Sequence, residues 1–213
     1  EPIAHITGQK DFWKNTFSVS KDTLIPRPDS EALIESVLKY LPQDGSFNFL
    51  DLGTGSGCLI ISILEEFKNS QGTGIDISKN AISIANKNKK NINNDLNLSF
   101  IVHDFFTYDT KGFDIIICNP PYVPKNELNE ITEEVINFEP HLALFPKKGT
   151  KDCYGKIISN IKLTNNKNCY VFFEIDYRDH VLVSNILKDN DFLVLAAEND
   201  LTNRPRCIVA KMN

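Results

Sequence analysis

The run Asp51-Leu52-Gly53-Thr54-Gly55-Ser56-Gly57-Cys58 (DLGTGSGC) decides how the rest of the chain is read. Phe47–Leu52 leading into it is apolar enough for a buried strand, and Cys58–Phe67 behind it has the spacing of a helix. Glycines at 53, 55 and 57 permit a tight turn there and let the backbone approach a ligand at the helix N-terminus. A second strand, Gly72–Ile77, follows and carries Asp76 near its end, about twenty residues past the loop. An acid at that place in a nucleotide-binding sheet accepts hydrogen bonds from ribose hydroxyls.

Working outward, the alternation continues. A helix is expected over Lys79–Asn91, strands over Leu96–Val102 and Phe113–Cys118, and a short helix near Glu127–Ile136. Another helix is expected over Cys153–Leu163, a strand over Cys169–Ile175 and a helix over Arg178–Leu187. Phe192–Glu198 and Arg206–Lys211 close the chain as strands with little between them, so they pair antiparallel. This order predicts an α/β fold, a doubly wound Rossmann-like sheet with an antiparallel last strand. Ahead of it, FWKNTFSVSKDTLI (Phe12–Ile25) alternates bulky and polar residues as a β-hairpin does. A proline-rich link, Leu24–Pro28, leads to a helix whose Leu33, Ile34, Val37, Leu38 and Leu41 share one face. Asp29 or Ser30 is expected to cap it, and Pro42 and Gly45 to stop it. Residues 1–28 therefore read as hairpin and linker, and residues 29–213 as the main domain.

Composition narrows the function classes. The 213 residues are 41% hydrophobic and 24% charged, enough for one large domain with a substantial core. No run approaches a membrane span, and no signal peptide is present at the start. The net charge of -5 argues against a nucleic-acid partner, which usually requires a basic excess. Five cysteines (Cys58, Cys118, Cys153, Cys169, Cys207) are scattered without a CxxC or Cys/His cluster, which reads as reduced thiols in a cytosol-like compartment with no metal site.

The glycine spacing is GxGxG rather than GxGxxG, and Asp51 closes the strand ahead of it. A carboxylate there repels a pyrophosphate and suits a ligand that carries an ammonium and a sulfonium. The pattern resembles that of S-adenosylmethionine (SAM)-dependent methyltransferases more than that of dehydrogenases. The candidate cofactor residues are Asp51, Gly53, Thr54, Gly55, Ser56, Gly57 and Asp76. To these the next strand end adds Asp104, an acceptor for the adenine amino group, and Phe105, whose ring can cover the base.

The fourth strand runs into Cys118-Asn119-Pro120-Pro121-Tyr122-Val123 (CNPPYV). Two prolines cannot continue a ladder. Alone, the tetrapeptide reads as a turn. Beside a SAM-type loop it meets a chemical need. Amide and aromatic amino nitrogens are poor nucleophiles, because the lone pair is delocalised into the adjacent π system. The side-chain oxygen of Asn119 and the carbonyl of Pro120 can accept both N–H bonds of an –NH₂ group, Pro121 stiffens the pair, and Tyr122 offers a flat face. Asn119, Pro120, Pro121 and Tyr122 are the candidate catalytic residues.

With these motifs the sequence resembles the protein-(glutamine-N5) methyltransferases of peptide chain release factors. The likeness extends through Glu1-Pro2, Ile6-Thr7-Gly8 and Phe12, LIPRPDSE (Leu24–Glu31), EPHLAL (Glu139–Leu144), FEI (Phe173–Ile175) and DLTNRPR (Asp200–Arg206). Membership would imply a substrate glutamine in a Gly-Gly-Gln loop and S-adenosylhomocysteine (SAH) as product. It would imply Gly53–Gly57, Asp76, Phe105 and Asn119 as cofactor contacts, and a bacterial cytoplasm or organellar matrix as location. The family usually carries a small helical domain ahead of the Glu-Pro segment, where this sequence opens. FPKKGTKDCY stands where the family has a glycine-rich stretch, and Asp176 where it has glycine. A second reading, N-methylation of an exocyclic amino group in RNA or DNA, shares the NPPY chemistry and would call for a basic surface.

Overall fold

Residues 1–124, 132–165 and 169–212 are described by a computed structural model. The chain opens with a five-residue helix, α1 (Ile3–Thr7), which the sequence pattern did not announce, closed by Gly8 at φ 69°. The hairpin follows as β1 (Gln9–Phe12) and β2 (Asn15–Ser18), in register from Gln9↔Ser18 to Phe12↔Asn15. Its turn residue Trp13 adopts φ 53°, costly for a bulky side chain. Compensation comes from Glu31 and Glu66, whose carboxylates accept the Trp13 backbone N–H (2.9 Å) and indole N–H (3.0 Å).

After α2 (Glu31–Tyr40) the chain lays down β3 (Asn48–Leu52), α3 (Cys58–Glu66), β4 (Gln71–Asp76), α4 (Lys79–Ile92), β5 (Leu98–Val102) and β6 (Ile115–Cys118). Two short helices, α5 (Glu133–Phe138) and α6 (His141–Leu144), precede α7 (Thr150–Thr164), β7 (Tyr170–Glu174), α8 (His180–Asp189), β8 (Phe192–Asn199) and β9 (Pro205–Met212). The helix expected near Glu127–Ile136 corresponds to α5; residues 125–131 lie outside the described residues. The sheet order is β5-β4-β3-β6-β7-β9-β8, with β9 antiparallel to both neighbours. The doubly wound sheet with its antiparallel last strand is as the sequence predicts.

Helices cover both faces. Phe49, Ile115, Ile117, Phe172 and Val209 pack with α2, α3 and the hairpin residues Phe12 and Phe17. Leu50, Leu52, Ile116, Val171 and Ile208 pack with α7 and α8. This is why β6 is buried at every position and reads as an unbroken apolar run. The order reverses between β3 and β6, so a crevice opens at their carboxyl ends. No helix among the described residues is long and apolar enough to cross a membrane.

The capping expectation for α2 is corrected. Ser30 stands at the N-cap position but makes no cap hydrogen bond; a 3₁₀ turn, Pro28–Ser30, starts the helix instead. Both candidate caps are engaged elsewhere. Asp29 pairs with Arg206 at 3.2 Å, and the Ser30 hydroxyl accepts from Asn119.

Candidate active site

The glycine loop is built by the ends of β3 and β4. Gly53, Gly55 and Gly57 all take positive φ (78°, 54° and 80°), and the N–H groups of Gly53 and Thr54 donate to the Ile75 carbonyl at 2.9 and 2.8 Å. Gly57 is required twice over, since a Cβ there would also sit 3.0 Å from the Phe100 ring and 3.3 Å from Ala85. At Gly55 a Cβ would meet nothing within 4 Å, so this part of the loop faces open space. Asn88 locks the hairpin to the loop. Its amide exchanges hydrogen bonds with the Ser18 backbone and donates to the Ser56 carbonyl at 2.8 Å.

Asp76 joins the loop to the start of α4. Its Oδ2 accepts from Gly55 N at 3.0 Å and its Oδ1 from Ser78 N at 2.9 Å. Burial raises its pKa, and the N–H groups of Ser78, Gly55 and Ile77 oppose that. Asp51 lies behind the loop, 1% exposed, with Oδ2 accepting the Thr54 hydroxyl at 2.6 Å. Burial pushes its carboxyl up to about 7, against the Thr54 hydrogen bond and with help from the charge of Asp76.

One cleft of about 250 Å³ brings much of the expected set together. Gly53, Thr54, Gly55, Ser56, Asp76, Phe105, Asn119 and Pro121 all line it. Asp104 lines an adjoining cleft that shares Phe105 and Pro121, and its Oδ1 accepts from Phe106 N. Five expected residues do not line the main cleft: Asp104, Asp51, Gly57, the buried Pro120 and Tyr122. Tyr122 instead donates its hydroxyl to Glu174 Oε1 at 3.2 Å.

The LIPRP and EPH segments meet at the same cleft. Pro26 and Arg27 line it from one segment, Pro140 and Leu142 from the other. Between them, buried Glu139 accepts from Ile25 N at 3.1 Å and pairs with the Arg27 guanidinium. Arg27 thus borders the site, whereas Glu31 serves the hairpin turn. Asp176, at the family's glycine position, accepts from Arg178 N and caps a 3₁₀ turn at Tyr177–Asp179.

Asn119 Nδ2 donates to Ser30 Oγ at 3.4 Å, and no described residue donates to its Oδ1 or to the Pro120 carbonyl. Sequence reasoning did not single out Ser30, Glu174 or Arg206 as site residues. Glu174 is fully buried beside Ser30 and Tyr122; burial raises its pKa, while Ser30, Arg206 and Tyr122 favour the charged form. Arg206 is held by Asp200 and by the Ile175 carbonyl. The signal was an acid ending an otherwise apolar strand, YVFFE.

Residues 43–199 match a family model described as a methyltransferase domain. The chain is 37% identical to a bifunctional methyltransferase of Rickettsia bellii, an alignment that covers 98% of this chain and 42% of that protein. It is 36% identical to the release factor glutamine methyltransferase of Fusobacterium nucleatum (99% and 60% covered) and 34% identical to that of Koribacter versatilis (99% and 75%). The chain therefore spans about half the length of the first two relatives and three quarters of the third. In fold it is similar to the SAM-bound magnesium protoporphyrin IX methyltransferase of Synechocystis, with TM-score 0.58, 18% identity, and 87% of this chain and 80% of that one covered. The base-methylating reading gains nothing from relatives that carry the glutamine name across nearly all of this sequence. By identity and coverage together, the chain belongs to the release factor glutamine methyltransferase family.

Proposed function

We propose that this chain transfers a methyl group from SAM to the side-chain amide nitrogen of the glutamine in a release factor's Gly-Gly-Gln loop. The observation that carries the reading is a single cleft lined both by the glycine loop with Asp76 and by Asn119 with Pro121. The residues there fit SAM by their chemistry. Each Asp76 oxygen keeps a lone pair for a ribose hydroxyl beyond the backbone N–H it already accepts. Phe105 offers an aromatic face, Gly55 leaves room, and Asp51 lies beneath the loop as a carboxyl whose charged form a bound cation would favour.

When bound, SAM supplies a methyl group on a positively charged sulfur. The chain's part is placement. Asn119 Oδ1 and the Pro120 carbonyl accept the two N–H bonds of the glutamine amide, which fixes the nitrogen and raises its electron density. Orientation of this kind is worth up to about 7–11 kcal/mol of barrier in favourable cases. The motif holds no His or Lys, so the product nitrogen loses its proton late, to solvent. On this reading residues 29–213 are the methyltransferase domain, residues 1–28 complete its cleft, and the protein works where release factors work, in a bacterial cytoplasm or an organelle matrix.

The test offers the chain methyl-labelled SAM, a purified release factor and bulk tRNA together. Label is expected on the glutamine of the factor and is abolished when a non-amide residue replaces it. Label on tRNA, or label that persists after the replacement, overturns the assignment.

A further inference from the structure

Behind Asn119 lies a buried acid that the transfer chemistry does not use. Glu174 ends β7 at 1% exposure, and its Oε2 has no hydrogen-bond partner among the described residues. Oε1 accepts the Tyr122 hydroxyl, and Tyr154 on α7 donates to the Glu174 carbonyl at 2.6 Å. The Ser30 hydroxyl adjoins the carboxyl, and Asn119 Nδ2 donates to that same Ser30 oxygen. Burying a carboxylate costs several kcal/mol, an expense that an apolar residue at the end of YVFFE would avoid.

Hydrogen-bond polarity gives the acid a use. A carboxylate only accepts, whereas a hydroxyl has one hydrogen to give. The Ser30 oxygen already accepts from Asn119, so its hydrogen is left for Glu174, where an unsatisfied oxygen awaits it. With that hydrogen committed, Ser30 meets Asn119 only as an acceptor. The Asn119 amide must then turn Nδ2 inward, leaving Oδ1 for the substrate. Rotated by half a turn, the same amide would present N–H to N–H. Burial raises the pKa of Glu174 and favours its protonation, which would reverse the chain of donors; Arg206, tied to Asp200 and Asp29, opposes that with a nearby positive charge.

We infer that Glu174 and Ser30 are positioning residues: a carboxylate–hydroxyl–amide chain that fixes Asn119 as an acceptor toward the substrate –NH₂, with Tyr122 pinned by the same carboxyl. The inference rests on the glutamine-methylation reading and deepens it. Glu174→Gln preserves shape but can donate, and Ser30→Ala cuts the chain. With the full chain, a purified release factor and labelled SAM, each variant is expected to lose about 100-fold in kcat. The KM for the factor and the affinity for SAM stay within about threefold, because binding in the ground state is not what is lost. The double variant falls no further than either single one, as members of one chain act as a unit. Thermal unfolding reports folding, and Ser30→Ala, which deletes one atom, carries the test if Glu174→Gln does not fold. A wild-type protein that labels no release factor refutes the methylation reading itself. A wild-type protein that does label it, with variants of unchanged kcat, multiplicative losses in the double variant, or losses confined to SAM affinity, overturns the positioning role.

Discussion

Replacing Asp76 with alanine tests ribose recognition directly. In the free protein the carboxylate oxygens accept backbone N–H groups from Gly55 at 3.0 Å and from Ser78 at 2.9 Å, and on the proposed function the lone pairs left over take the ribose hydroxyls. A ribose diol donates one charge-assisted bond to each, worth about 1.5–3 kcal/mol apiece net of water. Asp76 is only partly buried, and water that enters the alanine variant recovers a share of the loss. About 2–3 kcal/mol remains, or roughly 30- to 150-fold in Kd at about 1.4 kcal/mol per tenfold. Calorimetry with both SAM and SAH is the assay, because the two share the ribose and differ in charge at sulfur. Equal losses for both identify the sugar as the group that Asp76 holds. Thermal unfolding monitors the second effect of the change, which strips an acceptor from the loop and from the start of α4. A folded variant whose SAH affinity stays within about threefold of wild type would refute the reasoning, as would a loss seen with SAM alone.

Two further outcomes are expected. Asn119→Ala should leave SAM affinity within several-fold but lower single-turnover methylation by about 100-fold or more; an unchanged rate would remove Asn119 from the chemistry. The second concerns pH. The folded pKa of Asp51, about 7, lies above the ordinary value of 3.8, so the folded chain holds a proton through that window which the unfolded chain releases. Stability from this group is present below about 3.8 and is lost as pH rises through about 7. Unfolding temperatures of the unliganded protein across the window should slope more steeply for wild type than for Asp51→Asn, and parallel curves would sink the claim.

The parallel core was legible because the central strands are covered on both faces and so read as apolar runs, IIIC in β6 and YVFF in β7. The loop was legible because positive φ at 53, 55 and 57 demands glycine. What escaped the sequence depends on distant partners. Asp29 and Ser30 have the chemistry of helix caps, and nothing local says that Arg206 and Asn119 claim them instead. Arg27 and Glu31 lie in one short segment, and nothing local says that Glu139 takes the first and the backbone of Trp13 the second. Insertion of β9 between β7 and β8 is likewise invisible to periodicity, since a hairpin in either order has the same local pattern.

The placement of acids and carbonyls also divides binding from rate. On the proposed reaction positive charge leaves sulfur and grows on the amide nitrogen. Asp76 and Asp51 lie with the glycine loop, at the end that favours a cationic ligand, and whatever they add to the charged sulfur is lost on transfer. Stabilisation spent on the reactant cannot lower the barrier. Asn119 Oδ1 and the Pro120 carbonyl gain instead, because each N–H they accept becomes more acidic as the bond to carbon forms. Acceleration must therefore come from the Asn-Pro pair, and the orientation of one amide decides whether that pair attracts or repels. On the positioning role inferred for Glu174, the desolvation cost of that buried acid is offset through the reaction, by setting the orientation of Asn119.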